Sequence, residues 1–120
     1  MSTKYVQDGD RLTYTNGGSA ISANDVVVVG GAVCVALVDI ANGATGELAT
    51  SGVWNLPKVS TAVIAQGEKV QWDVSATGIE DALATPATGD IVNCGIAWEA
   101  AGNGVTELAV KLNVTGGTIT

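Results

Sequence analysis

Acid–base catalysis at neutral pH draws most often on histidine, and this chain of 120 residues contains none. Carboxylates can substitute when two of them face each other across a cleft, as in glycoside hydrolysis. Asp39, Glu47, Asp73 and Glu99 lie on or beside segments that read as strands, so they are the only acids with a route to convergence. Their positions alternate with apolar residues, which places them on outward, solvated faces. Glu80-Asp81 reads as a polar loop pair with nothing nearby to separate the two pKa values. Asp8-Gly9-Asp10 begins like a calcium loop, but Arg11-Leu12 breaks the required ligand spacing and a turn is the better reading. Cys34 and Cys94 sit in apolar runs and read as buried free thiols; without histidine they make no zinc site. No Gly-x-Ser-x-Gly is present, Gly30-Gly31 lacks the spacing of a dinucleotide fingerprint, and no Gly-Lys pair exists to form a phosphate loop. No catalytic residue, cofactor or metal is expected.

The remaining chemistry is that of surfaces. Twelve acidic against five basic residues give a net charge of −7, which repels phosphate backbones. Lys4, Arg11, Lys58, Lys69 and Lys111 are dispersed, so no nucleic-acid partner is expected. No apolar run reaches membrane-spanning length, and Met1-Ser2-Thr3-Lys4-Tyr5 does not open a signal peptide, so a cytoplasmic origin without membrane contact is expected.

The elements carrying these residues read as strands. Phe is absent, so the core must be built from Val, Leu, Ile and Ala around Trp54, Trp72 and Trp98. Asn16-Gly17, Asn42-Gly43 and Asn103-Gly104 are turn signals, and the last two are flanked by strand-like segments that predict hairpins. Period-two alternation places Val92, Cys94, Ile96 and Trp98 on one face, Leu108, Val110, Leu112 and Val114 on another, and Val70, Trp72 and Val74 on a third. Trp72 and Trp98 are thereby expected in the core. Trp54 shares a face with Leu56 before Pro57 and is a candidate interface anchor. The run Val26-Val27-Val28-Val29 predicts a strand buried on both faces, and an aggregation hazard if it lies at an open edge. Ser60–Gln66 and Ile79–Ala84 have room for one helical turn each. The pattern predicts an all-β fold, a small single-domain sandwich or barrel of eight to ten short antiparallel strands. An extended arm is expected over 1–10, the β domain over 11–115, and a loose tail over 116–120.

Gly52-Val53-Trp54-Asn55-Leu56-Pro57-Lys58, then Gln66-Gly67, then Val70-Gln71-Trp72-Asp73 resemble the matching segments of the capsid cement, or decoration, proteins of tailed bacteriophages. Val6-Gln7-Asp8-Gly9-Asp10-Arg11-Leu12, Gly95-Ile96-Ala97 and Val110-Lys111-Leu112-Asn113 extend the resemblance over most of the chain. It implies a structural protein of the virion that binds the outer surface of the expanded head and bridges neighbouring major capsid subunits. It also implies self-association as a homotrimer or a dimer, and passage through the host cytoplasm during assembly. The label of predicted recombinase, often attached to such proteins, fails here for want of a phosphate loop. Candidate contacts with the capsid or another subunit are Tyr5, Val6, Trp54, Leu56 and Lys58. The alternative is a virion-surface sandwich that binds host glycans, most plausibly through Trp54.

Overall fold

In the computed structural model, residues 9–81, 85–113 and 118–119 are described. They form ten strands and, among the described residues, no helix. The strands are β1 (Arg11–Thr15), β2 (Val26–Val29), β3 (Ala32–Ala36), β4 (Thr45–Ala49) and β5 (Val53–Pro57). They continue with β6 (Lys69–Asp73), β7 (Gly78–Asp81), β8 (Ile91–Ala97), β9 (Glu107–Leu112) and β10 (Thr118–Ile119). A four-stranded antiparallel sheet runs β1-β4-β3-β2, and a second sheet runs β5-β9-β8-β6-β7 with β10 added to β8. The second sheet curls until its ends meet, where Lys58 bridges Ile79 in parallel and the Val59 N–H donates to the Ile79 carbonyl at 2.9 Å. The fold is therefore both of the expected architectures at once, a small barrel-like sheet with a flatter sheet packed on it.

The two flanked Asn-Gly turns behave as their residues dictate. Gly43 (φ 81°) lies between β3 and β4, and Gly104 (φ 94°) between β8 and β9; both pairs are antiparallel neighbours. The third dipeptide follows β1 and is not a hairpin tip. Asn16 is instead buried, its amide donating to the Ser19 and Ile40 carbonyls and its oxygen accepting from the Gly18 N–H. Residues 60–66 form no helical turn, and neither do the described residues of 79–84. Ile79–Asp81 belongs to β7, so Glu80 and Asp81 sit in a strand opposite Gln71 and Val70 rather than in a loop.

Apolar side chains gather on both sides of the small sheet. Val33 and Val35 of β3 join Leu56, Val70, Trp72, Ile79, Ile91, Leu108, Val110 and Leu112 in the main core, with Val26 and Val28 packed against it. On the opposite side Val27, Cys34, Ala36, Ile40 and Leu48 form a second cluster flanked by Leu12, Tyr14 and Val29. The four-valine run serves both clusters in alternation, as its unbroken apolarity predicts. Its place in the sheet is nevertheless terminal, so it is also an edge strand.

The sheets are tied by Asn113, which follows β9 in the left-handed region (φ 50°). Its amide nitrogen donates to the Val33 and Thr50 carbonyls, both at 2.9 Å, and its oxygen accepts the Val33 N–H at 3.2 Å. The side chain thus stands in for a peptide group where the β3–β4 ladder runs out. Thr118 and Ile119, expected in a loose tail, pair with Val92 and Ile91 of β8. The expected arm over 1–10 falls almost wholly outside the described residues, of which Gly9 and Asp10 form a turn.

Candidate interaction surface

The carboxylates with a route to convergence are dispersed. Glu47 accepts from Thr13 Oγ1 at 3.0 Å, Asp39 accepts the Ala23 N–H at 2.8 Å, and Asp73 closes the turn after β6. Among the described residues no three of His, Cys, Asp and Glu are grouped as a metal site. Cys34 and Cys94 are buried free thiols, and burial pushes their pKa values up to about 11 and about 12. What the fold does assemble is a surface, on the outer side of the larger sheet.

Register fixes that surface. Lys69 of β6 pairs with Ile96 of β8, Ile96 with Lys111 of β9, and Lys111 with Val53 of β5. Directly paired residues share a face, so these four side chains form one row across the sheet. Beside it, the Trp98 N–H donates to the Ala109 carbonyl, and Ala109 pairs with Asn55, making a second row. Trp98 is 53% exposed, and Lys111 Nζ lies 6.0 Å from the centre of its ring, within cation–π range. A shallow cleft of about 310 Å³ runs beside it, lined by Gln66, Gly67, Ile96, Ala97 and Trp98. Glu107 ends the same face of β9.

Trp98 reaches solvent because it shares the outward phase of β8 with Ile96, opposite the buried Ile91, Gly95 and Ala97, and a bulge interrupts that phase only at Asn93 and Cys94. Between Gly95 and Ile91 it spends four residue steps against two from Val70 to Trp72 on β6. The extra residues are taken up around Asn93, which is exposed with φ 55°. This bulge turns Cys94 inward, after which Gly95 and Ala97 face the core while Ile96 and Trp98 face out. Cys94, turned inward at the bulge, is the exception to the phase of Ile91, Gly95 and Ala97, so alternation counted from Cys94 puts Trp98 in the core. Trp72 is buried as expected. Gly95 leaves no room for a side chain against β9: a Cβ there would lie 2.6 Å from the Lys111 carbonyl oxygen and 2.8 Å from Val110 Cγ1.

The contact residues expected from sequence fall elsewhere. Tyr5 and Val6 lie outside the described residues. Trp54, Leu56 and Lys58 all occupy the inward side of β5, whose exposed positions are Val53, Asn55 and Pro57. Leu56 is 1% exposed and belongs to the main core. Lys58 is 5% exposed, and its Nζ donates to the carbonyls of Val59 (2.9 Å), Gly102 (3.2 Å) and Val105 (3.2 Å). Both side chains are covered within the chain. Trp54 is half-buried against the core, with Nε1 donating to the Ser51 carbonyl at 2.9 Å, and lines a cleft with Asp10, Arg11 and Leu37. Sequence reasoning missed Trp98, Ile96, Lys69 and Lys111 as a group. The only signal was Asn93 with Gly95, two residues that tolerate a bulge inside an otherwise apolar strand.

Comparison with known proteins adds one match. A family model described as phage cement protein covers residues 6–112 of the chain. No curated protein and no solved structure matches it.

Proposed function

The chain belongs to the phage cement protein family, which gives it a structural role at the virion capsid, and from that premise we propose that it docks through the outer face of its larger sheet. On this reading Trp98 is the anchor, Ile96 and Val53 widen the apolar contact, and Lys69 and Lys111 meet carboxylates of the major capsid protein. The exposure of Trp98 carries the proposal: a half-exposed tryptophan held beside a row that carries two lysines is the composition of a binding hot spot, not of an ordinary solvated face. Charge points the same way. In a chain of net charge −7 this face gathers two of the five cations, and Lys58 is withdrawn inside.

The site bound is the outer surface of the expanded head, across joints between neighbouring major capsid subunits. Packed DNA pushes those subunits apart, and a clamp across the joint adds buried area where the shell is weakest. A protein that binds only the expanded state stabilises that state by mass action. Many copies on one shell multiply a modest contact. Self-association, as a trimer or a dimer, belongs to the same reading.

The test is co-sedimentation with expanded heads lacking the protein and with unexpanded proheads. Wild-type protein binds saturably to expanded heads alone and raises their rupture temperature. Trp98→Ala and the double variant Lys69→Glu/Lys111→Glu keep the wild-type circular dichroism and lose affinity by about 30-fold or more, the scale of a lost hot spot. Wild-type affinity in both variants overturns the assignment of this face; no binding of wild-type protein to either particle overturns the reading as a whole.

A further inference from the structure

β2 terminates the small sheet, and among the described residues nothing pairs with its outer edge. Its hydrogen-bond phase is fixed at both ends. The Ala36 N–H donates to the Asp25 carbonyl at 2.8 Å, while the Ala36 carbonyl accepts the Asn24 N–H at 2.7 Å and the Asp25 N–H turns to the Ser22 carbonyl, so Asn24 and Asp25 oppose Ala36 as a bulged hydrogen-bonded pair just before the strand. Such pairs alternate in an antiparallel ladder, so Val27/Cys34 and Val29/Ala32 are hydrogen-bonded too. The second of these closes the hairpin over Gly30-Gly31, with Gly30 at φ 57°, as the first central position of a type II′ turn requires. Val26 and Val28 therefore aim their N–H and C=O groups away from β3. Natural edges are guarded by lysine, proline or a bulge, and Val26–Val29 has none of them.

We propose that β2 pairs antiparallel with β2 of a second copy of this chain, about a two-fold axis through Val27, so that two four-stranded sheets become one of eight. In that register Val26 stands opposite Val28 of the second copy, and every outward N–H meets an outward C=O. Val27 and Val29, on the second-cluster side, continue an apolar face across the joint. The charges allow it. Two copies of net charge −7 repel over most of their surfaces, but β2 contributes no charge. The nearest acid, Asp25, falls opposite Val29 of the second copy rather than opposite its own equivalent, so no like charges are apposed.

A paired segment of four residues is about 13 Å long and buries far less than the ~1,200 Å² of a stable free-standing interface. The pairing is therefore weak in dilute solution and gains when copies are held side by side on a surface. The pairing rests on this edge alone; only its gain on a shell rests on the cement reading.

Cysteine cross-linking tests it. The background is Cys34→Ala, because Cys34 lies opposite Val27 within the chain. Residues at 27 of the two copies form a non-hydrogen-bonded pair with Cα atoms about 4.5 Å apart, inside disulfide range. Val27→Cys then yields a disulfide dimer under mild oxidation at protein concentrations on the order of 100 µM. Val29→Cys, opposite Asp25 of the second copy, does not. Val28→Pro removes an outward donor that the β3 ladder does not use, and lowers cross-linking of Val27→Cys by about tenfold or more. If Val28→Pro fails to fold, the contrast between positions 27 and 29 still decides. Equal cross-linking at both positions, none at either, or a trimer in solution overturns the proposal. Failure of cross-linking with head binding intact sinks the dimer and leaves the cement reading standing; the converse result does the reverse.

Discussion

Replacing Lys58 by methionine separates a structural role from a docking role for the segment that carries the firmest family resemblance. Methionine keeps an unbranched apolar stem, so packing along β5 is preserved while the ammonium is removed. The carbonyls of Val59, Gly102 and Val105 then lose their shared donor at a site that is 5% exposed. A hydrogen bond from a charged group contributes about 1.5–3 kcal/mol net, and here one ammonium serves three acceptors, of which the Val59 and Gly102 carbonyls also accept the Ala62 and Val105 N–H groups. Relief from burying a charge offsets part of the loss, which leaves a destabilisation of about 2–4 kcal/mol. For a domain of this size that lowers Tm by roughly 10 °C. Thermal unfolding followed by far-ultraviolet circular dichroism measures it, with urea unfolding as a check that the slope is unchanged. Affinity for expanded heads, corrected for the folded fraction, stays at the wild-type value. Trp98→Ala is the opposite case: it removes a side chain already 53% exposed, so Tm barely moves while binding falls. A Lys58→Met variant with wild-type Tm and weakened binding refutes the burial argument and returns Lys58 to the interface.

Three further outcomes follow from the same geometry. Asn113→Ala removes all three bonds to Val33 and Thr50 and costs about 2–3 kcal/mol in urea unfolding. Asn113→Gly, which accepts φ 50° freely, is destabilised nearly as much; wild-type stability for the glycine variant shows that the amide is dispensable. With Cys34 and Cys94 raised to about 11 and about 12 by burial, a thiol reagent at about pH 8 labels both only after unfolding, and rapid labelling of native protein contradicts their placement. The Asp73 carboxyl is held below its ordinary pKa, first by the Ser75 hydroxyl and then by the Ala76 N–H, so its contribution is present above the unfolded carboxylate pKa and is lost as pH falls through the folded value. Asp73→Asn therefore flattens the acid limb of stability as pH falls through and below the ordinary carboxylate range, and an unchanged limb contradicts the turn's hydrogen bonds.

Local patterns were legible where a strand keeps one phase. β9 alternates without interruption, and Leu108, Val110 and Leu112 are buried as their spacing predicts; in β6 Val70 and Trp72 are buried as expected, but so is Gln71 between them. The Asn42-Gly43 and Asn103-Gly104 hairpins followed from the conformational needs of a tight turn, although both connections are longer than the dipeptides alone suggest. The valine run announced burial on both faces because it has no polar residue to spare for solvent. Illegible were the features set by pairing between distant segments. That β5 lies beside β9, with Trp54, Leu56 and Lys58 turned inward, depends on register across some fifty residues. The surface around Trp98 was hidden for a related reason: Cys94 is turned inward at a bulge near Asn93, so counting alternate residues from it assigns Ile96 and Trp98 to the wrong face. A lysine between Pro57 and Val59 reads as surface on composition alone; only the three converging carbonyls make it a core residue.

The two proposed contacts draw on different chemistry and different residues. The outer face of the larger sheet offers side chains, a tryptophan with lysines beside it, and suits a partner that supplies acids around an apolar centre. The β2 edge offers backbone groups without charge and suits a copy of itself. Lys69, Ile96, Trp98 and Lys111 lie on β6, β8 and β9 or just beyond, whereas Val26–Val29 belongs to the other sheet, so one contact does not use up the other. A molecule that made both would link two docking sites through a continuous hydrogen-bonded sheet rather than through a flexible tether. Once one copy is docked, its neighbour binds at a high effective concentration, and the weakness of a four-residue edge in solution becomes useful. Strong pairing before docking would join copies in arrangements the shell does not offer, while a weak, uncharged edge selects pairs only where the shell has already brought them into register.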